Sequence, residues 1–425
     1  MSSTSRTIVF LLAGLLASPP SQAEESGSDV FVSFEELETP AGAGAREPNL
    51  FVAQDGRTFL SWLEQLGDDR FALRFAVATS DGWTKPRTIA SDNDMFVNWA
   101  DFPSIVAFVD GRLAAHWLKK NSDKTYAYDV NVAVSEDGGA TWSEPVVPHR
   151  DGTETQHGFA SLLPLPDGDL AIVWLDGRNY AAAGAFAAAE EASSDAMALH
   201  HATLSRDGVL SDERVLDQRT CTCCQTSAAL TGDGAVIAYR DRSEKEIRDI
   251  RVLRVGRDGG WSEPAIVSHD GWEILGCPVN GPAVAADGER VAVAWFTGAD
   301  DLPRAYVAFS DDGGASFGTP VRVDQEFPLG RVDVVLLPDG SAVVSWLEMS
   351  AVGEEFRIRH VDPEGEPHQV IALAVTRQGR TSGFPRMVRN GDRLYLAWTQ
   401  SVGAGADASD DRLTVRTAIA KLRAL

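Results

Sequence analysis

Residues Pro103 to Trp117 read PSIVAFVDGRLAAHW, a short apolar stretch, an Asp-Gly turn and a second apolar stretch ending in an aromatic. The same phrase recurs from Pro48 to Trp62, Ala160 to Trp174, Thr226 to Tyr239, Pro282 to Trp295, Val332 to Trp346 and Pro385 to Trp398. Two apolar runs joined by Asp-Gly describe a β-hairpin. A hairpin that returns at a near-constant period of this length predicts an all-β, seven-bladed β-propeller, one repeat per blade. Each hairpin supplies the inner two strands of a four-stranded antiparallel blade, and alternating runs such as Phe71 to Thr79 and Ala305 to Ser310 supply the third. After the seventh hairpin only Leu413 to Ala420 remains, one strand short. The segment 30–34, before the first hairpin, is therefore expected to complete the last blade and close the ring, removing an exposed seam.

Residues 1–23 carry Arg6, an apolar run from Ile8 to Leu16 and Ser21-Gln22-Ala23, the pattern of a signal peptide cleaved near Ala23. An exported protein, periplasmic or secreted, is expected, with residues 24–425 as one propeller domain. No Cys follows the signal closely enough to carry a lipid, so no membrane anchor is expected. The net charge of -24 argues against nucleic acid, whose phosphates require clustered Lys and Arg. A monomer binding a small-molecule or glycan ligand is the expectation. The longest interval between turns falls in the third repeat, where the alanine-rich insertion 179–194 is expected to lie beside the ligand face as a short helix, a lid or a passive loop.

Between the third and fourth strands stands Ser135-Glu-Asp137-Gly-Gly139-Ala-Thr141-Trp142, repeated as Ser310-Asp-Asp312-Gly-Gly314-Ala-Ser316-Phe317. Gly permits positive φ in a tight turn, Asp accepts backbone N–H groups, and the aromatic is expected to pack back between strands. This motif resembles the Asp box of the sialidase (neuraminidase) superfamily, also known as the BNR repeat, and Arg46-Glu47-Pro48 resembles the Arg-Ile-Pro motif that opens the first sialidase blade. The resemblance spans the mature chain as architecture. A sialidase proper is six-bladed, whereas seven repeats stand here.

In an antiparallel blade the starts of the first strands and the ends of the second strands share one face, here termed the upper face. Around it the repeats align Arg46, Asp101, His157, Cys223, Cys224, Cys277 and Arg331, all close to nine residues before the turn Asp. The second-strand ends add Glu64, Lys119, Asp176, Arg178, Arg240, Asp241, Arg242 and Glu348. A funnel lined by these polar groups is the expected ligand site. Sialidase likeness implies three arginines clamping a carboxylate, a Tyr nucleophile polarised by a Glu, and an Asp acid. Arg46 matches the first arginine by motif, Arg240 and Arg331 complete the clamp by position, and Asp101 is the candidate acid. Tyr126, Tyr128, Tyr239, Tyr306 and Tyr395 are assigned to strands, leaving Tyr180 as the nucleophile candidate, without a paired Glu. The sequence therefore reads as a propeller that binds an anionic or sugar-like ligand, or a metal, with Arg46, Asp176, Arg178, Arg240, Arg242, Arg331 and Glu348 as ligand-binding candidates. The alternative is an exo-α-sialidase or related glycoside hydrolase. A hydrogen-bonded structural network is the competing role for each Arg and Asp.

The chain's four cysteines all fall at this face: Cys221, Cys223 and Cys224 open the fourth repeat and Cys277 the fifth. Two disulfides in any of three pairings account for them. A site for copper or zinc made of these thiolates and His157 is the other reading. His200 and His201 point to opposite faces of one strand and cannot share an ion.

Overall fold

The computed structural model describes residues 30–67, 69–181, 196–376, 379–402 and 412–423. The signal segment and most of the insertion lie outside them. Among the described residues no helix is long and apolar enough to cross a membrane.

Seven antiparallel sheets follow one another along the chain. Blade one contains Ala45–Val52, Thr58–Gln65, Phe71–Thr79 and Arg87–Asp92, with the two-residue strand Gly82–Trp83 at its lower corner. Blade two contains Ser104–Ala107, Leu113–Lys120 and Tyr128–Ser135, and its outer position is held by a single bridge between Val132 and Val146. Blade three contains His157–Pro164, Leu170–Asp176, Met197–Leu204 and Leu210–Thr220; blade four begins at Ser227–Thr231 and Gly234–Arg240, and blade five at Ala283–Asp287 and Arg290–Thr297. Blade six runs from Pro328–Leu336 to Pro367–Thr376. Blade seven pairs Arg386–Asn390, Arg393–Val402 and Arg412–Leu422 with Phe31–Leu37, so the two ends of the chain close the ring, Phe34 opposite Ala420.

Each sheet is buried on both faces by its neighbours, which is why the second strands read as nearly unbroken apolar runs; every residue of Leu170–Asp176 is buried. The tryptophans ending these strands lie in the seams, and Trp62, Trp174, Trp295 and Trp346 are fully buried. A buried indole N–H needs an acceptor. Residues i and i+2 of a strand share a face, so Trp-x-Glu or its analogue supplies one: Trp62 donates to Glu64 (3.0 Å), Trp174 to Asp176 (2.9 Å), Trp346 to Glu348 (2.6 Å) and Trp398 to Gln400 (3.2 Å).

The two Ser-x-Asp turns are built alike. Asp137 accepts from Thr141 N (2.8 Å) and Thr141 Oγ1 (2.7 Å), and Asp312 from Ser316 N (2.9 Å) and Ser316 Oγ (2.6 Å). The aromatic after the first packs onto the preceding blade, not within its own, Trp142 meeting Phe75 edge-on at 6.2 Å; Trp83, after the related turn Ser80-Asp81-Gly82, likewise meets Tyr395 of blade seven at 5.9 Å. Gly139, at φ 88°, lies in that seam, where a Cβ would come within 2.5 Å of Phe75.

Polar side chains link the inner strands around the ring. Asn49 donates to Pro103 O (3.3 Å), Asp101 accepts from Phe159 N (2.8 Å), Ser161 bonds Thr226 (2.8 Å), and Gln225 accepts from Gly281 N (2.9 Å). Asn280 then accepts from Arg331 N (2.7 Å), Asp333 from Met387 N (2.9 Å), and Asn390 donates to Gly56 O (2.7 Å), so every seam is bridged. Two of the accepted N–H groups, those of Phe159 and Arg331, belong to a recurrent positive-φ position. Glu47, Phe159, Val279 and Arg331, each eight residues before its turn Asp, all take φ between 48° and 56°.

Two predictions test this architecture. Phe31→Ala strips the closing strand of its buried anchor and lowers stability by about 3 kcal/mol, read as a lower urea midpoint at unchanged slope. Glu47 is buried in its bulge, and burial, only partly opposed by the Arg46 charge, raises its pKa to about 8. An acid that holds its proton more tightly when folded makes stability fall as pH rises from about 4.5 towards about 8. Asp101, raised by burial to about 7, acts with the same sign. Glu47→Gln should therefore match the wild type near pH ~4 and exceed it by a few kcal/mol near pH ~8, measured by denaturant titration at each pH.

Candidate functional site

The centre of the upper face is aromatic, not the polar funnel expected. Trp99 and Phe102, from the segment opening blade two, reach Phe384 at the start of blade seven, with ring centres 6.0 and 5.8 Å apart. Phe159 and Val279 join the same cluster. This layer caps a cavity of about 600 Å³ between the inner strands. The cavity lining runs from Phe102 and Phe384 above to Gln54 and Val109 at the lower turns. Trp99 itself is only half-buried. Two guanidinium groups flank its ring, Arg331 at 4.8 Å and the exposed Arg380 at 6.0 Å.

The guanidinium groups of the three arginines expected to form a clamp have partner sets that share no residue. Arg46 bonds Gln65 (3.2 Å) and lies over Phe71 within blade one. Arg240 donates to the carbonyls of Asn280 (2.8 Å), Arg248 (2.5 Å) and Phe296 (2.6 Å), stapling blade four to blade five over Trp272. Arg331 donates to Ser382 (3.0 Å), Gly383 O (3.2 Å) and Gly379 O (3.1 Å), and only it borders Trp99. Arg242 forms a forked pair with Glu246, its Nη2 2.8 Å from Oε1.

The remaining candidates lie deeper. Asp101 is 2% exposed, between Phe159 N and the Tyr128 hydroxyl (3.4 Å). Tyr180, on the one-turn 3-10 helix Arg178–Ala181, is 5% exposed, and burial pushes it up to about 12. Tyr126, assigned to a strand from the sequence, stands instead in the loop before Tyr128–Ser135 and is 39% exposed against Phe96. Glu348, fully buried, accepts from Trp346 and Glu326 N (2.7 Å), forms an ion pair with Arg357 (3.2 Å), and is part of its blade's scaffold.

His157 is not with the cysteines. Its ring stacks on His149 at 3.7 Å, the planes 7° apart, inside a cage of Asp129, Asp151 and Asp176. His157 Nε2 lies 3.3 Å from Asp151 and 3.6 Å from Asp176. Burial lowers the pKa of His157, but the carboxylates outweigh it and hold the imidazole above its usual range. Asp176 is opposed by burial too, yet Arg178 (2.7 Å) and the nearby histidines hold it below the carboxylate range. Asp151, despite burial, is held far below that range by His149, His157 and Thr153. Asp129, His149 and His157, and again Asp151, His157 and Asp176, each bring three possible ligand atoms within 4.8 Å of one another, and both ring nitrogens of His157 are buried without a hydrogen bond. The cage is a cluster of imidazole rings and carboxylates joining blades two and three. His200 and His201 do face apart, one to Trp174 and Asp176, the other to Trp261.

Of the cysteines, Cys223 and Cys277 form a disulfide between blades four and five. Cys221 and Cys224 lie beside that bridge, both buried, with their sulfurs next to each other. Burial opposes ionisation of Cys221, but the Cys224 thiol and Arg248 outweigh it and place it below the usual thiol range, while Cys224 is driven above it.

Sequence reasoning missed Trp99, Arg380 and His149. A signal for the first was present. Of the 11 tryptophans, six end second strands and three, Trp83, Trp142 and Trp261, follow the Asp-Gly turns that precede fourth strands; only Trp99 and Trp272 fall outside the repeat, and each lies under an arginine.

No family model and no curated protein matches the chain. Solved structures do resemble it. A protein of unknown function from Dyadobacter fermentans is 13% identical, with 92% of this chain and 99% of that one aligned at a TM-score of 0.51. Polysaccharide lyase Uly1 is 10% identical over 95% of this chain and 94% of its own, also at 0.51. A sialidase from Streptococcus pneumoniae is 9% identical over 92% and 95%, at 0.45. At such identities the likeness of the first two is one of fold alone.

Proposed function

We propose that this protein is an exported, monomeric Asp-box propeller, sialidase-like in architecture, that binds a small anionic, sugar-like ligand over Trp99 on its upper face. The observation that carries the reading is the half-buried indole of Trp99, flanked by Arg331 and the exposed Arg380 at the centre of the ring. An indole face takes the apolar face of a sugar ring, and adjacent guanidinium groups take a carboxylate or sulfate. Arg331 is held by carbonyls and fixes the indole from one side. Arg380 is exposed and free to turn toward a ligand. Because the chain as a whole carries -24, an anion is attracted only locally, so binding should weaken steeply with salt.

Oligosaccharides ending in uronic or sialic acid should quench tryptophan fluorescence and bind in calorimetry, whereas neutral counterparts should not. Trp99→Ala should weaken binding at least about tenfold, roughly 1.4 kcal/mol, and Arg380→Ala should weaken it less and flatten its salt dependence. No binding by any acidic glycan would sink the proposal. Release of sugar from a fluorogenic sialoside, abolished by Asp101→Asn, would replace it with the glycoside hydrolase reading.

A further inference from the structure

The cage between blades two and three keeps buried polar atoms that no hydrogen bond among the described residues satisfies. His157 opens the first strand of blade three and is paired in register with Asp176, which ends the second. Asp129 lies on the third strand of blade two, and His149 and Asp151 lie on the segment that joins the two blades. His157 is fully buried with neither ring nitrogen hydrogen-bonded, and His149 Nε2 and Asp151 Oδ1 are likewise buried without a hydrogen bond. Thr153 donates to Asp151 Oδ2 from both its backbone N–H and its hydroxyl, which leaves Oδ1 facing the imidazole. His157 Nε2 stands 3.3 Å from Asp151 Oδ1 and 3.6 Å from Asp176 Oδ1. These separations exceed the ~2.7–2.9 Å of a charge-assisted hydrogen bond. They match neighbouring ligands around one ion, since donors about 2.0–2.2 Å from a tetrahedral centre lie roughly 3.3–3.6 Å apart.

The charge of the cage points the same way. Asp129, Asp151 and Asp176 converge on one buried imidazole, an arrangement that is costly without a cation. Arg178 donates to Asp176 Oδ1 from its N–H (3.0 Å) and Nε (2.8 Å), and its Nη2 lies 2.7 Å from Asp176 Oδ2, 3.0 Å from Glu213 and 3.6 Å from Asp151. Arg150, 3.5 Å from Glu213, answers that carboxylate. Three carboxylates against one guanidinium leave two negative charges for a dication to balance. We propose that the cage binds one divalent transition-metal ion of the zinc class, with His157 Nε2, Asp151 Oδ1 and Asp176 Oδ1 as ligands. Asp129 Oδ1, 3.6 Å from His157 Nδ1, orients the imidazole from its far side, and His149 stacks over the ligand ring. An imidazole donor favours zinc over calcium, which takes about six to eight oxygens. Because Asp151 belongs to the connecting segment and His157 and Asp176 to blade three, the ion ties that segment to the upper end of the blade. The site shares no residue with the surface around Trp99 and stands whether or not that surface binds a glycan.

The test strips the full-length mature protein with a chelator, reloads it with zinc, desalts it and counts the metal by elemental mass spectrometry. The wild type should retain about one zinc ion per chain and unfold at a higher urea concentration with zinc than without. His157→Gln should lose both the ion and the shift. Asp129→Asn, which alters only the group behind the imidazole, should weaken zinc about tenfold to a hundredfold. Should His157→Gln fail to fold, the wild type decides alone: its cobalt-substituted form should show nitrogen and oxygen ligation by X-ray absorption, with no sulfur in the first shell. A wild type that retains no zinc, zinc uptake unchanged in a folded His157→Gln, or cobalt bound through sulfur would each overturn the site.

Discussion

The constraint on which this molecule depends is that its innermost strands have a sheet partner on one side only. Their other edge faces the axis and the next blade, where a buried N–H or C=O must still find a partner. The chain meets this with short polar side chains at the upper ends of the inner strands, Asn49, Asp101, Ser161, Gln225, Asn280 and Asp333, each reaching across a seam to its neighbour. The positive-φ bulge at Glu47, Phe159, Val279 and Arg331 belongs to the same solution, since it turns the N–H of Phe159 and Arg331 toward the preceding blade. The ring thus stays registered without a central core.

That solution decides which polar groups are left for chemistry. Arg240 and Arg331 are engaged by backbone carbonyls, Glu348 by an indole and backbone amides, and Asp176 by Trp174 and Arg178. A cation whose donors are satisfied by carbonyls holds the scaffold and is costly to reorganise around a ligand. What remains open at the axis is the indole of Trp99 and the guanidinium of Arg380. The proposed ligand surface is therefore made by residues that the repeat does not use, mounted on residues that it does.

The same logic separates the histidines from the cysteines. His157 and Cys223 occupy nearly the same station of successive repeats, so a linear alignment brings them together. In the ring each side chain instead enters its own seam. His157 turns into the charged cage between blades two and three, while Cys223 crosses to Cys277 between blades four and five. Neighbouring stations in a propeller are neighbours around a circle, and side-chain direction settles which of them meet.

Much of this was legible in the chain. The seven turn aspartates fix the blade count, the missing strand after Trp398 fixes the closure by the N-terminal segment, and the Ser-x-Asp turns fix the lower corners, because hydrophobic period and turn chemistry are local properties. The clip aromatics were legible as packing residues but not as links to the preceding blade, and Tyr126 looked like a strand residue because its loop is short. Only the tertiary structure decided which polar groups around the axis are already bonded, that Trp99 spans from blade two to Phe384 of blade seven, and that Cys221 and Cys224 lie beside a bridge between two other cysteines. Local sequence specifies strands and turns because each depends on a few adjacent residues. The site depends on contacts between segments tens to hundreds of residues apart, whose meeting is set by the closure of the ring.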